Sequence, residues 1–224
     1  DMGDVTITGT RMHELQRESP FPVTVVGAEH LVRSAPISVP DALDAQPGIT
    51  LVRDGVWGTD VSIRGLSRAN VVTLVDGARI ETATNLAAGL SLIDVTDIDR
   101  VEVIRSGASS LYGTGATGGV VNVVTRNGTY SDAFRLAGGF NSSYTSVNSG
   151  SAAALTVDAS DSRWYLHLHG GMRSAGDAQT PDGVLRDSRF RDRSMNVSAG
   201  VRPFGTHELR LRYQRVRAED VGIP

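Results

Sequence analysis

"YGTGATGGVVNVVT", residues 112–125, contains the pattern G-x-G-x-x-G at Gly113, Gly115 and Gly118. In a dinucleotide-binding fold such a loop follows a strand and opens a helix, whose first N–H groups hold the pyrophosphate. Here Gly119 is followed by "VVNVVT", a β-branched run with no helical periodicity. The acidic residue that should meet the ribose about twenty positions on is missing, and Gly138 and Gly139 stand in that region. The loop therefore leads into a strand, and a soluble nucleotide-binding enzyme would be rescued only by a helix after Gly119. Gly113, Gly118 and Gly119, with Asn122, are expected to be structural, allowing tight turns and close packing against a neighbouring wall.

The composition agrees with an ordered protein. The 224 residues are 40% hydrophobic and 21% charged, with a net charge of −3. No run approaches the roughly 18 uninterrupted apolar residues of a membrane helix. The charge balance suggests no polyanion-binding surface, so nucleic acid is not an expected partner. Cysteine is absent, which excludes disulfides, thiolate metal sites and cysteine catalysis without fixing the compartment. All 22 basic residues are arginine, a bias that a GC-rich genome produces without functional cause. Residues 1–20 show no signal-peptide pattern, so an exported protein would be in its mature form.

Three stretches follow one another. Residues 1–20 read as a polar arm whose β-branched patch "DVTITGT" (4–10) has nothing close by to pack on as a hairpin. Residues 21–130 read as a small mixed domain. "PVTVV" (22–26) alternates as a strand and "AEHLVRS" makes a short helical turn. Ser38 and Asp41 have capping-box spacing, Pro40 sits in the first turn, and Pro47-Gly48 stops the helix. "GITLVRD", "DVSIRGL", "NVVTLVDGARI" and "DRVEVIRS" are strand-like, and Asp76-Gly77 marks a tight hairpin as a structural turn.

From residue 131 the pattern changes to two-sided segments of roughly ten residues. Phe134, Leu136 and Phe140 oppose Arg135 and Asn141; Trp164, Leu166, Leu168 and Met172 oppose Tyr165, His167, His169 and Arg173. Leu209, Leu211 and Tyr213 likewise oppose Glu208, Arg210 and Arg212. Short links at 160–162 and 203–206 contrast with a long one over 174–192. Short turns at one end and long loops at the other are the signature of a transmembrane β-barrel, with Trp164 and Phe204 suited to an aromatic girdle. A soluble antiparallel sheet with one wet face gives the same alternation.

"VSIRGL", "VTLVDGARI" and "IDRVEVIRSGASSLYGTGATGGVVNVVT" bring IRG, VDG, RVEVIR, LYG and GGVVN in one order. Together they resemble the plug domain of TonB-dependent outer-membrane receptors. "VTVVGAEHLVRSAPISVPDALDAQPGITL" looks like the opening of that plug, and "DVTITGTR" is similar to the TonB box. One departure is Arg105-Ser106-Gly107, where the family usually reads R-G-P or similar. The resemblance implies an α+β plug (21–130) preceded by an arm (1–20) and followed by antiparallel transmembrane β-barrel strands (131–224). These strands would be part of a barrel of about 22. Only about five strands of that length fit after residue 131. Five cannot close in lipid without unpaired edges, so the remaining barrel is expected from a second chain or from sequence not present here.

The resemblance also implies roles. Val5, Thr6, Ile7, Thr8 and Gly9 would pair as an added strand on the periplasmic TonB-complex protein, or be incidental β-branched residues of a polar terminus. Arg64, Glu102 and Arg105 match charged family positions and would pair with the barrel wall, since buried charges need partners; solvated strand charges are the alternative. Ligand contacts are expected from plug loops at Asp54, Trp57, Asp60, Arg68, Asn70, Arg79, Glu81 and Asn85. Trp57 would equally pack on the wall. His167 and His169 should face the lumen, for haem or metal or for hydrogen bonds within the wall. No catalytic constellation is present, so neither an enzyme nor a cofactor or metal site is expected. The implied function is TonB-energised import, across the bacterial outer membrane, of a scarce small molecule: a siderophore-type iron chelate, or haem or cobalamin. The alternative is a receptor-derived structural or interaction subunit without transport. Outer-membrane lipid would be the remaining partner.

Overall fold

A computed structural model describes residues 6–7, 14–34, 36–80, 89–204 and 207–223. The chain divides into two compact units, Asp1–Thr125 and Arg126–Pro224.

The first unit opens with β1 (Thr6–Ile7) paired antiparallel to β2 (Glu14–Leu15), Thr6 opposite Leu15 and Ile7 opposite Glu14. This corrects the expectation that the N-terminal patch has nothing to pair with. Ladder hydrogen bonds come from the backbone and require no apolar alternation in the partner strand. After β3 (Val23–Gly27) come α1 (Ala28–Ser34) and α2 (Val39–Leu43). The capping box forms as the spacing predicts: the Asp41 N–H donates to Ser38 Oγ (3.4 Å), and the Ser38 N–H donates to Asp41 Oδ2 (3.1 Å). The helix stops at Leu43, short of Pro47-Gly48, because the N–H groups of Asp44 and Gln46 turn back to carbonyls three residues earlier.

A three-stranded antiparallel sheet follows: β4 (Ile49–Arg53), β5 (Thr59–Ile63) and β6 (Leu66–Ser67). The remaining strands are β7 (Val71–Val75), β8 (Ala78–Arg79), β9 (Ile98–Ile104) and, after the one-turn α3 (Ser109–Tyr112), β10 (Gly119–Thr125). They join β3 in a five-stranded sheet ordered β3-β9-β10-β7-β8, antiparallel except for β10 beside β7. That parallel pair is possible because residues 76–118 supply the long crossover that parallel strands need.

Both faces of this sheet are covered, so its strands read as near-continuous apolar runs. On one face Val101, Val103, Val121 and Val123 pack with Val26, Leu31, Leu43, Val61 and Ile63. On the other, Ile104 and Val120 pack with Val72, Leu74, Ala108, Tyr112 and Ala116. Glu102 and Asn122 are also fully buried, at 0% exposure.

The second unit is an antiparallel meander: β11 (Arg135–Thr145), β12 (Gly150–Ser160), β13 (Trp164–Ala175), the hairpin β14 (Ala178–Thr180) with β15 (Gly183–Leu185), then β16 (Phe190–Phe204) and β17 (His207–Glu219). The hairpin sits inside the connection between β13 and β16, the long link of the sequence, and turns at "TPDG" (180–183). One face of the sheet is apolar and exposed, including Leu136, Phe140, Leu155, Met172, Leu209 and Leu211. The other carries His167, His169, Asp192, Asn196 and Ser198, all buried. Tyr165 is buried too; its ring occupies the space that a Cβ at Gly128 or Gly200 would need, an aromatic covering glycines across a sheet.

Candidate functional site

The glycine-rich loop opens into a strand, not a helix. β10 begins at Gly119, opposite Val71 of β7. Gly119 has φ +147°, and a Cβ there would overlap the Ile104 carbonyl. At Gly118 a Cβ would stand 2.8 Å from Leu66 Cβ. The glycines therefore let two backbones approach at the junction of the sheets. Gly113 caps α3 at φ 73°.

Several residues predicted as ligand contacts gather around this loop. The Arg68 guanidinium donates to Asp54 Oδ1 at 2.7 Å, and Asp60 feels the charges of both. Burial pushes the Asp60 carboxyl above its ordinary range; the Val61 N–H and Arg68 oppose this, and Asp54 adds to it. Asn70 Oδ1 accepts from Thr117 Oγ1 at 3.2 Å, and the Asn70 carbonyl accepts from the Gly118 N–H at 2.7 Å. The Arg79 guanidinium donates to the Thr114 carbonyl at 3.1 Å. The loops bearing residues 68–70 and 79 are thus tied to the segment 112–118. Trp57 is buried, only 5% exposed, whereas Arg68 and Arg79 are exposed. Glu81 and Asn85 lie outside the described residues.

Behind the loops runs a row of buried polar groups. The Gly77 N–H donates to Asn122 Oδ1 (3.1 Å), Asn122 Nδ2 donates to Glu102 Oε2 (3.1 Å), and Arg100 Nε donates to Glu102 Oε1 (2.9 Å). Asn122 and Glu102 are direct cross-strand partners. Both Glu102 oxygens are engaged within the first unit. Arg100 was missed in the sequence, although its spacing of two from Glu102 places both on one strand face. Asp76 Oδ1 accepts from the Thr125 N–H at 2.9 Å, so the predicted hairpin turn also anchors the end of β10. Arg105 donates to the Pro47 carbonyl at 2.9 Å, and the exposed Arg64 adopts φ 53° at the β5–β6 turn.

Residues 15–120 match the TonB-dependent Receptor Plug Domain family. The first unit carries a TonB-dependent receptor plug domain. This family comprises outer-membrane receptors and transporters, not enzymes. Over 122 residues the chain is 32% identical to the vitamin B12 transporter BtuB of Photobacterium profundum, covering 54% of this chain and 20% of that protein. It is 37% identical to a hemin receptor of Yersinia enterocolitica, covering 54% of this chain and 18% of that protein. The chain thus spans about a fifth of the length of these curated relatives. Among solved structures, the copper transporter OprC superposes with a TM-score of 0.73 at 20% identity, covering 88% of this chain and 30% of that one. The ferric enterobactin receptor of Pseudomonas aeruginosa (PfeA) does so at 0.69 and 17%, covering 90% and 34%. These likenesses extend beyond the plug and give β11–β13, β16 and β17 as antiparallel barrel strands.

The TonB-box-like segment is described only at Thr6–Ile7, within the β1–β2 pair; Val5, Thr8 and Gly9 lie outside the described residues. On the wall, His167 and His169 do face away from the apolar side, and each has a neighbour on β12. His167 Nδ1 is 2.6 Å from Asp158 Oδ1, and His169 Nδ1 is 3.0 Å from Thr156 Oγ1. Among the described residues no group of three or more such side chains could hold a metal ion. A further buried pair, Arg173 bidentate on Asp192 at 2.7 and 2.9 Å, became visible only with the strand register, which sets the two residues opposite each other.

Proposed function

We propose that this chain is the plug and first wall strands of a receptor that imports a scarce ligand across the outer membrane with energy delivered by the TonB complex. The proposed ligand is an iron chelate of the siderophore type, with haem or cobalamin as the other candidates. The observation that carries the reading is the plug itself: the family match over residues 15–120 coincides with a sheet covered on both faces and loops pinned around Gly113–Gly119. A vitamin B12 transporter and a hemin receptor among the relatives support the range of ligands.

In this reading Val5–Gly9 offers backbone N–H and C=O groups to the TonB-complex protein, a recognition mode tolerant of side-chain variation. Asp54, Asp60, Arg68, Asn70 and Arg79, with Trp57, Glu81 and Asn85, contribute to ligand recognition from the plug loops. Arg64 and Arg105 contribute to seating the plug, with Glu102 fixing the sheet from within. Native mass spectrometry of the receptor extracted from outer membranes, offered a ferric siderophore, haemin and cobalamin in turn, tests the proposal. One ligand retained at one copy per receptor is the expected result. Failure to retain any of the three contradicts the ligand range.

A further inference from the structure

Between the last plug strand, β10, and the first wall strand, β11, the chain reads "RNGTYSDAF" (126–134). This linker is fastened to the wall sheet at several points. The Tyr130 ring stands edge-on to the buried Tyr165 of β13, with centroids 5.0 Å apart and planes at 79°. The Arg202 guanidinium covers the same ring at 3.7 Å from its centroid. The Ser131 N–H donates to the Asp161 carbonyl at 3.1 Å. Asp161 Oδ1 in turn accepts from the N–H groups of Arg163 (2.7 Å) and Trp164 (3.0 Å), so the linker is tied to the tightest part of the β12–β13 turn.

Two glycines show that this seat is built for the ring. A Cβ at Gly128 of the linker, or at Gly200 of β16, would occupy the space of the Tyr165 ring; at Gly200 it would also stand 2.9 Å from the Tyr130 hydroxyl. Neither glycine has a positive φ, so close approach, not a backbone turn, requires them. Gly128 lets the linker backbone lie on one side of Tyr165, and Gly200 lets the wall backbone lie on the other. Arg202 is itself held, its N–H donating to the Arg163 carbonyl at 2.8 Å. Glu208, gripped by Arg210 at 2.8 and 2.9 Å, borders the Tyr130 hydroxyl.

The position of this seat in the chain gives it a mechanical meaning. A pull applied at the N-terminal arm passes through the plug and leaves it through the linker. Unfastened, residues 126–134 would extend by about 30 Å at ~3.4 Å per residue, and the plug would shift as a body before any of its strands bore load. Fastened at Tyr130 and Ser131, the linker pays out less than half of that length.

We propose that Tyr130 and Tyr165, seated by Gly128 and Gly200 and covered by Arg202, form an anchor that holds the plug's exit to the wall while the arm is pulled. These are positioning residues: they touch no ligand and set how far the plug moves in each import cycle. The proposal rests on the reading of energised import given above.

The test uses the whole receptor in cells, with a glycopeptide antibiotic too large to cross an intact outer membrane as the probe of pore opening. Tyr130→Ala, Gly128→Ala and the conservative Tyr130→Phe are compared with wild type, each with and without residues 1–12. Losing one ring pair and one cation–π contact should raise the unfastened population about tenfold. Tyr130→Ala and Gly128→Ala are therefore expected to raise antibiotic sensitivity about tenfold while residues 1–12 are present, and not without them. Tyr130→Phe keeps both ring contacts and should match wild type. Wild-type sensitivity in both anchor variants overturns the proposal, and so does Tyr130→Phe behaving as Tyr130→Ala. Sensitivity, or a loss of receptor level, that persists without residues 1–12 also overturns it, because the contact would then serve assembly alone. Wild-type import that survives deletion of residues 1–12 would sink the underlying reading; import that needs them, with no leak that needs them, sinks only the anchor.

Discussion

Glu102 shows how one residue links sequence, packing and stability. Its carboxylate is fully buried, and its two oxygens accept from Arg100 and Asn122. Glu102→Ala would leave both donors without their acceptor, an expected loss of about 3–5 kcal/mol for a broken buried ion pair. Glu102→Gln keeps an acceptor for one partner and should cost less. Proteolysis of the plug in the detergent-extracted receptor reads this order; equal resistance of both variants and wild type would contradict it. Asp60 makes a pH prediction. Burial raises its folded pKa above 3.8, so between 3.8 and that higher value the folded state holds a proton the unfolded chain has released. Stability is therefore greatest below this window and falls as pH rises through it. Asp60→Asn should remove that part of the slope in denaturation curves taken across the window; an unchanged slope would count against the burial. Little of this was legible in the sequence. The charges in "DRVEVIR" were visible, but which faced inward depended on β3, β10 and the turn at Asp76-Gly77, and these come from distant parts of the chain.

At the scale of elements the sequence was more open. Asp76-Gly77 announced a two-residue hairpin, and the structure gives both residues positive φ, 49° and 79°. Gly77→Ala should cost roughly 1–2 kcal/mol from the left-handed backbone alone, whereas Asp76→Ala removes both bonds to Thr125. A fall in the thermal midpoint of the receptor with either variant is expected, and an unchanged midpoint for both would contradict the turn's role. "VVNVVT" identified β10 as a strand because β-branched residues suit the pleat and offer no helical stripe. Helix length was less legible. Pro47-Gly48 is a stop signal, but the shorter turns after Leu43 ended α2 first. The β1–β2 pair was missed for a related reason: two-residue ladders of backbone hydrogen bonds leave almost no imprint on side-chain periodicity.

For the whole molecule, alternation alone left a barrel wall and a one-sided soluble sheet open; the family match and the likeness to solved receptors resolve this. The two differ in how they tolerate charge on the apolar face. Leu168→Arg, in the row of Val197 and Tyr213, should cost about 2–4 kcal/mol if that row lies at the middle of the bilayer, read as loss of folded receptor in outer-membrane fractions; full recovery of the variant would argue for a wet face. The candidate ligand residues were only partly brought together: Asp54, Asp60 and Arg68 cluster, and Asn70 and Arg79 secure the glycine loop, while Trp57 is buried. Sequence placed them in loops but held no signal for which loops meet. The central claim is energised import through a plugged barrel. Uptake of the retained ligand by cells carrying the whole receptor, with and without residues 1–12, tests it most directly. Import abolished by the deletion, with receptor level and ligand binding unchanged, is the predicted result. Import that continues without residues 1–12 would contradict the claim.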